Sequence, residues 1–227
     1  TILKGDVVSA PALGQLDTTE QGYLVAEDGV IQGVFPALPE RYAGAPVEDW
    51  GRALILQSLA DLHLHAPQYP LMGTGMDLPL LEWLNAYAFP TEARYADPDY
   101  AREVYRLLSR DLAACGTTRV CMFSSLHRPA TVILMEELER AGITGYVGKV
   151  NMDRNALPGV LEETAEESIR ETLQWLEESA AFHHVKPMLT PRFIPSCSDE
   201  VLSFLGKLAA ERDLPIQSHL SENQAEM

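Results

Sequence analysis

The chain has 227 residues, enough for one large domain or two small ones, and its 46% hydrophobic and 22% charged residues are those of an ordinary globular protein. A formal net charge of -16, from 33 acidic against 17 basic residues, argues against nucleic-acid phosphates or an anionic membrane as partners. No apolar run is long enough for a bilayer, the first residues lack a signal peptide's charged start and apolar core, and Cys115, Cys121 and Cys197 make no C-x-x-C pair, so free thiols in the cytoplasm are expected.

Residues 1–55 read as a small β module: Ile2 to Ser9, Gly22 to Val25 and Gly29 to Phe35 are strand-like, and Pro36, Pro39 and Pro46 punctuate the return. Leu54 to Gln68 begins as an apolar run, expected to be a buried strand, and carries His63 and His65 at its end. Leu78 to Tyr87 has helical spacing, with Pro90 expected to stop it. Asp97-Pro98-Asp99 caps a helix from about Tyr100 to Cys115, closed by Gly116. A second strand (Thr117 to Phe123), a helix (Thr131 to Ala141), a third strand (Gly145 to Val150), a helix (Thr164 to Ala181), a fourth strand (Val185 to Thr190), a helix (Ser198 to about Glu211) and a fifth strand (Leu214 to His219) follow.

Strands alternating with helices of this length mean parallel β-α units. Two architectures fit, an open doubly wound sheet and a TIM-type barrel. The open sheet usually carries a glycine-rich phosphate loop after its first strand, and this chain has His63-Leu64-His65-Ala66-Pro67-Gln68 there. Chemical residues also recur at several strand ends: His63 and His65, then Arg192 and Phe193, then His219 and Glu222. Barrel enzymes gather their sites in that way, so the expected fold class is α/β, a (β/α)8 TIM-type barrel of which the first five strands are present. The expected boundaries are 1–55 for the β module and 56–227 for the barrel part.

Side chains alternate along a strand, so His63 and His65 share one side, and paired imidazoles suit a divalent metal, usually zinc. His-x-His alone decides nothing between a metal site and two packed histidines. His219 at another strand end, with Glu222 three residues on, tips the balance: a third imidazole completes a three-histidine face, and a carboxylate one turn away can take a proton from water. His127 is given no role, and His183 and His184, ahead of the fourth strand, are expected to be solvated.

These residues resemble a family. His63 to Tyr69 (HLHAPQY), Asp77 to Trp83 (DLPLLEW), Phe89-Pro90-Thr91-Glu92, Val147 to Asp153 (VGKVNMD), Thr190-Pro191-Arg192-Phe193 and Gln217 to Asn223 (QSHLSEN) look like guanine deaminases of the amidohydrolase superfamily. The resemblance implies a distorted (β/α)8 barrel beside a β-sandwich, His63, His65 and His219 as ligands of one zinc ion (iron being the other candidate), Glu222 as proton shuttle, and Gln68, Arg192 and Phe193 on the purine with His219 and Glu222. Binuclear relatives use a carboxylated lysine at the end of the fourth strand, where this chain has Leu189-Thr190. The resemblance also implies a histidine after strand six and an aspartate after strand eight, for which no sequence remains beyond Met227. Residues 1–227 are therefore expected to be part of a longer enzyme and, alone, to bind metal poorly and leave guanine intact. A hydrolase of another ring, such as a triazine or pterin, and a non-catalytic scaffold completed by a partner chain are the readings kept beside it. A homodimer is the assembly left open.

Overall fold

The computed structural model describes residues 1–222; Asn223, at the end of one of the motifs above, lies outside them. The chain forms two compact units, Thr1–Ser58 and Leu59–Met227. No helix among the described residues is long and apolar enough to cross a membrane.

The first unit is one mixed four-stranded sheet in the order β3-β2-β1-β4, from β1 (Ile2–Ala12), β2 (Gln15–Glu27), β3 (Val30–Phe35) and β4 (Glu48–Leu56). β1-β2 and β2-β3 are antiparallel hairpin partners, while β4 returns to lie parallel to β1. Its small core closes on Ile2, Val25 and Tyr42.

The second unit is the α/β part. β5 (Leu59–His65), β6 (Thr117–Phe123), β7 (Thr144–Gly148) and β9 (Val185–Pro187) form a parallel sheet in sequence order. β8 (Val150–Asn151) and β10 (Thr190–Pro191) continue two of these strands as a second parallel pair. The long helices α3 (Pro98–Ala114), α4 (Arg128–Arg140), α5 (Ala165–Ser179) and α6 (Asp199–Arg212) connect them. Their starts follow from capping chemistry: Asp97 accepts from the Asp99 N–H, Thr164 from Glu167 and Ser198 from Val201. Met122 and Val147 of the sheet pack with Tyr105, Leu134, Trp175 and Leu205 of the helices in a single buried cluster. Gly148 ends β7 where a Cβ would fall 1.7 Å from Thr190 Oγ1 and 2.6 Å from the Met188 carbonyl, so only glycine lets these adjoining strand ends close up.

Three expectations are corrected. The apolar run from Leu54 is not one buried strand. It breaks at Gln57-Ser58 because its halves serve different sheets, β4 pairing with β1 and β5 with β6. β5 has one strand neighbour among the described residues, which leaves Leu59 60% and Leu62 74% exposed. Second, Pro90 does not stop the helix after Leu78. Helical backbone runs from α1 (Leu80–Trp83) through a π-helical turn (Leu84–Ala88) into α2 (Phe89–Ala93), with Pro90 in the first turn of α2. A π-turn is where a helix absorbs such a misfit, since proline has no N–H to donate and crowds the preceding turn. Third, the segment expected as strand five makes two single bridges, Leu189 to Ile216 and Phe193 to His219. Pro191 and Pro215 both lack a ladder donor, and the neighbouring strand is itself interrupted between Pro187 and Thr190.

Candidate metal centre

The site sits at the carboxyl ends of the parallel strands. Register places His65 of β5 opposite Phe123 of β6, and Phe123 opposite Gly148 of β7. A register shift in β5 between Asp61 and Leu64 inserts one extra residue there, and the Asp61 carboxylate accepts the His63 N–H at 3.1 Å. Such a bulge turns a side chain locally. The His63 and His65 rings lie 5.3 Å apart and both approach His219, at 5.1 and 4.9 Å. Phe123 forms the floor: its buried ring stacks on His65 at 4.5 Å and meets His219 at 4.4 Å.

His63, His65 and His219 offer nitrogen atoms that all lie within 4.8 Å of one another. The Arg192 carbonyl accepts two bonds from His219, from its main-chain N–H at 3.0 Å and from Nδ1 at 2.7 Å. That fixes the proton on Nδ1 and leaves the Nε2 lone pair bare, the arrangement a ligating imidazole needs. His219 Nε2 stands 3.0 Å from His65 Nε2. Two lone pairs at that distance repel unless they share a proton or a cation. Burial, and then the positive charge of Arg192, hold the His65 imidazole well below its usual pKa, and burial lowers that of His219. Three imidazoles converging on one point fit a divalent metal, and their nitrogen donors suit zinc or iron.

A cavity of about 150 Å³ opens on this cluster and is lined by His63, His65, Gln68, Arg192, Phe193, His219 and Glu222 with an apolar wall of Leu80, Leu81, Trp83 and Leu84. A larger apolar cavity of about 670 Å³ adjoins it between β5 and α3 and shares His63, His65 and Gln68. The convergent polar groups are in the smaller one, where chemistry needs them. Glu222 lies at its rim, and its negative charge favours the protonated form of His219. The residues expected to hold metal, substrate or proton, His63, His65, Gln68, Arg192, Phe193, His219 and Glu222, thus border one space.

Two residues went unassigned. Phe123 had only the look of a strand residue. Glu92 was read as part of a motif and given no task, yet it is 3% exposed and receives the Arg192 guanidinium on both oxygens, Nη1 to Oε2 at 2.6 Å and Nη2 to Oε1 at 3.1 Å. The Gln68 amide also donates to Oε1, at 2.9 Å. The signal that could have pointed to it is a lone charge in a short helix of otherwise uncharged residues, Phe89-Pro90-Thr91-Glu92-Ala93, because such an acid is buried only with a partner.

His127 lies outside this cavity, against Ser125, and burial followed by the Lys149 charge depresses its pKa to about 4. Its unfolded value is near 6.5, so between those values the unfolded chain binds a proton that the folded chain refuses. Stability is full above pH 6.5 and falls as the pH drops toward 4. Denaturation across that range should show unfolding free energy falling by about 1–3 kcal/mol on this account, with a shallower slope in His127→Gln. An unchanged slope in the variant would remove His127 from the explanation.

Comparison with known proteins agrees with this layout. The sequence profile of the amidohydrolase family matches residues 54–227. Guanine deaminase of Mus musculus is 45% identical over 174 residues, covering 76% of this chain and 38% of that protein. Guanine deaminase of Dictyostelium discoideum is 35% identical over an alignment of 245 residues, covering 100% of this chain and 54% of that protein. The crystal structure of guanine deaminase from C. acetobutylicum, with guanine bound in its active site, superposes with a TM-score of 0.94 at 42% identity, over 100% of this chain and 54% of that one. The chain spans about half, or less, of the length of these relatives. With a profile match that begins before β5 and takes in every residue of the histidine cluster, the chain belongs to the amidohydrolase family.

Proposed function

We propose that the protein hydrolyses guanine to xanthine and ammonia, a step of purine breakdown in the cytoplasm. The observation that carries this reading is the convergence of His63, His65 and His219 on one point beside Gln68, Arg192, Phe193 and Glu222 in one cavity. The similarity to guanine deaminases supports the choice of ring.

His63, His65 and His219 would hold the metal, with zinc preferred. When bound, zinc acts as a Lewis acid that brings the pKa of water down toward roughly 7. The protein's residues do the rest. Arg192 offers donors to the acceptor edge of guanine, O6 and N7, where a guanidinium can bond twice. Gln68 holds a second edge and Phe193 covers the ring face. Glu222 takes a proton from the attacking water, passes it to the ring nitrogen as the carbon–oxygen bond forms at C2, and helps protonate the amine as the carbon–nitrogen bond breaks. Guanine and water become xanthine and ammonia with no other reactant. The apolar wall of Leu80, Leu81, Trp83 and Leu84 keeps bulk water away from this exchange.

The test is to express the complete reading frame, load the protein with zinc and follow xanthine by absorbance and ammonia by a coupled assay. Turnover that is lost on chelation, restored by zinc and abolished in Glu222→Gln is the expected result. A zinc-loaded protein that leaves guanine intact would refute the reading.

A further inference from the structure

We propose that Glu92 is a positioning residue that sets both the geometry and the preferred ligand charge of this pocket, so that the site accepts uncharged purines and discriminates against anionic ones. The inference rests on the guanine reading above.

Arg192 and Glu92 are each 3% exposed, so their charges have left water together. A guanidinium cannot give up its proton, and alone in such a place it would be a strong anion site. Glu92 cancels that charge with two charge-assisted bonds. It also spends particular hydrogens. Binding through Nη1 and Nη2 uses the end of the fork and leaves Nε–H and the outer Nη hydrogens for a ligand. A carboxylate can only accept, so the Gln68 amide nitrogen has to face it. This leaves the Gln68 carbonyl and one N–H for the cavity that Gln68 lines. One carboxylate therefore fixes the donor edge of Arg192 and the acceptor of Gln68.

The scaffold holds Glu92 firmly. It follows the π-helical turn at Leu84–Ala88, an irregularity that recurs at functional sites, and it shares α2 with Phe89, whose ring lies 5.2 Å from the guanidinium carbon of Arg192. A purely structural ion pair would also be buried. It would not need to capture the amide of a second cavity-lining residue.

The experiment uses the complete, zinc-loaded enzyme, with guanine as substrate and two inhibitors, xanthine and hypoxanthine. The pH is set between their first ring ionisations, where xanthine is an anion and hypoxanthine is neutral. Glu92→Gln should lower kcat/KM for guanine roughly 10- to 100-fold. It should also shift the ratio of xanthine to hypoxanthine affinity toward the anion by about tenfold or more. Glu92→Asp, which keeps the charge, should retain the neutral preference. A Glu92→Gln enzyme with slower turnover but an unchanged inhibitor ratio would show a structural role only and overturn the proposal. Should Glu92→Gln fail to fold, the unsubstituted enzyme decides: it should bind hypoxanthine more tightly than the xanthine anion, and the reverse order overturns the proposal. An unsubstituted enzyme that neither turns over guanine nor binds any of these purines refutes the guanine reading itself, and this inference with it. Normal wild-type turnover with no effect of Glu92→Gln refutes this inference alone.

Discussion

Replacing His63 and His65 together by alanine should strip the protein expressed from its complete reading frame of its zinc and stop guanine turnover. The three imidazole nitrogens lie within 4.8 Å of one another, and the double change removes two of them. Among the described residues, what remains of the cluster is His219, held by the Arg192 carbonyl and without its His65 neighbour. A zinc site that loses two of its ligands binds the ion weakly, so metal content measured by emission spectrometry should fall from about one ion per chain to background. Activity should fall by on the order of 10³-fold or more, the scale of losing a group on which transition-state charge depends. The fold should survive. His63 is exposed and His65 half-buried at the tip of β5, outside the main core cluster, so circular dichroism and the unfolding midpoint of the metal-free protein should change little. Full zinc content in the double variant would place the metal elsewhere and remove the basis of the site.

Most of the second unit was legible because its signals are local. Asp97, Thr164 and Ser198 announce helix starts through hydrogen bonds to residues two or three positions on, and β-branched, apolar Thr117 to Phe123 can do little but form a strand. The histidine cluster was legible for a related reason. Residues at the carboxyl ends of parallel strands meet at one end of the sheet, so chain order alone put His63, His65 and His219 together. The failures came where a segment's fate depends on something distant. Leu54 to His65 reads as one apolar strand, but β1 claims its first half and β6 its second. Pro90 reads as a stop because propensity cannot foresee a π-turn that admits it. Glu92 was missed for the deepest version of this reason: its meaning comes from Arg192, one hundred positions away, and from Gln68.

That partnership changes what to expect from Arg192. If Arg192 reads the O6 edge of guanine, Arg192→Ala should weaken transition-state binding of guanine by on the order of 2–4 kcal/mol, the value of one buried, charge-assisted contact. 2-Aminopurine lacks that oxygen and should lose far less. The substitution also strands Glu92, 3% exposed, without its cation, and breaking a buried pair costs about 3–5 kcal/mol of stability. Some loss of folded, active enzyme is thus expected for reasons unrelated to O6, and a fall in guanine turnover by itself would prove nothing. The ratio of kcat/KM for guanine to that for 2-aminopurine removes the difficulty, because the cost of stranding Glu92 is incurred before either purine arrives and cancels in the ratio. Arg192→Ala combined with Glu92→Gln gives a second route, since it removes the stranded charge and should recover stability without recovering the preference for guanine. If single and double variants both keep the wild-type ratio, the O6 assignment is wrong.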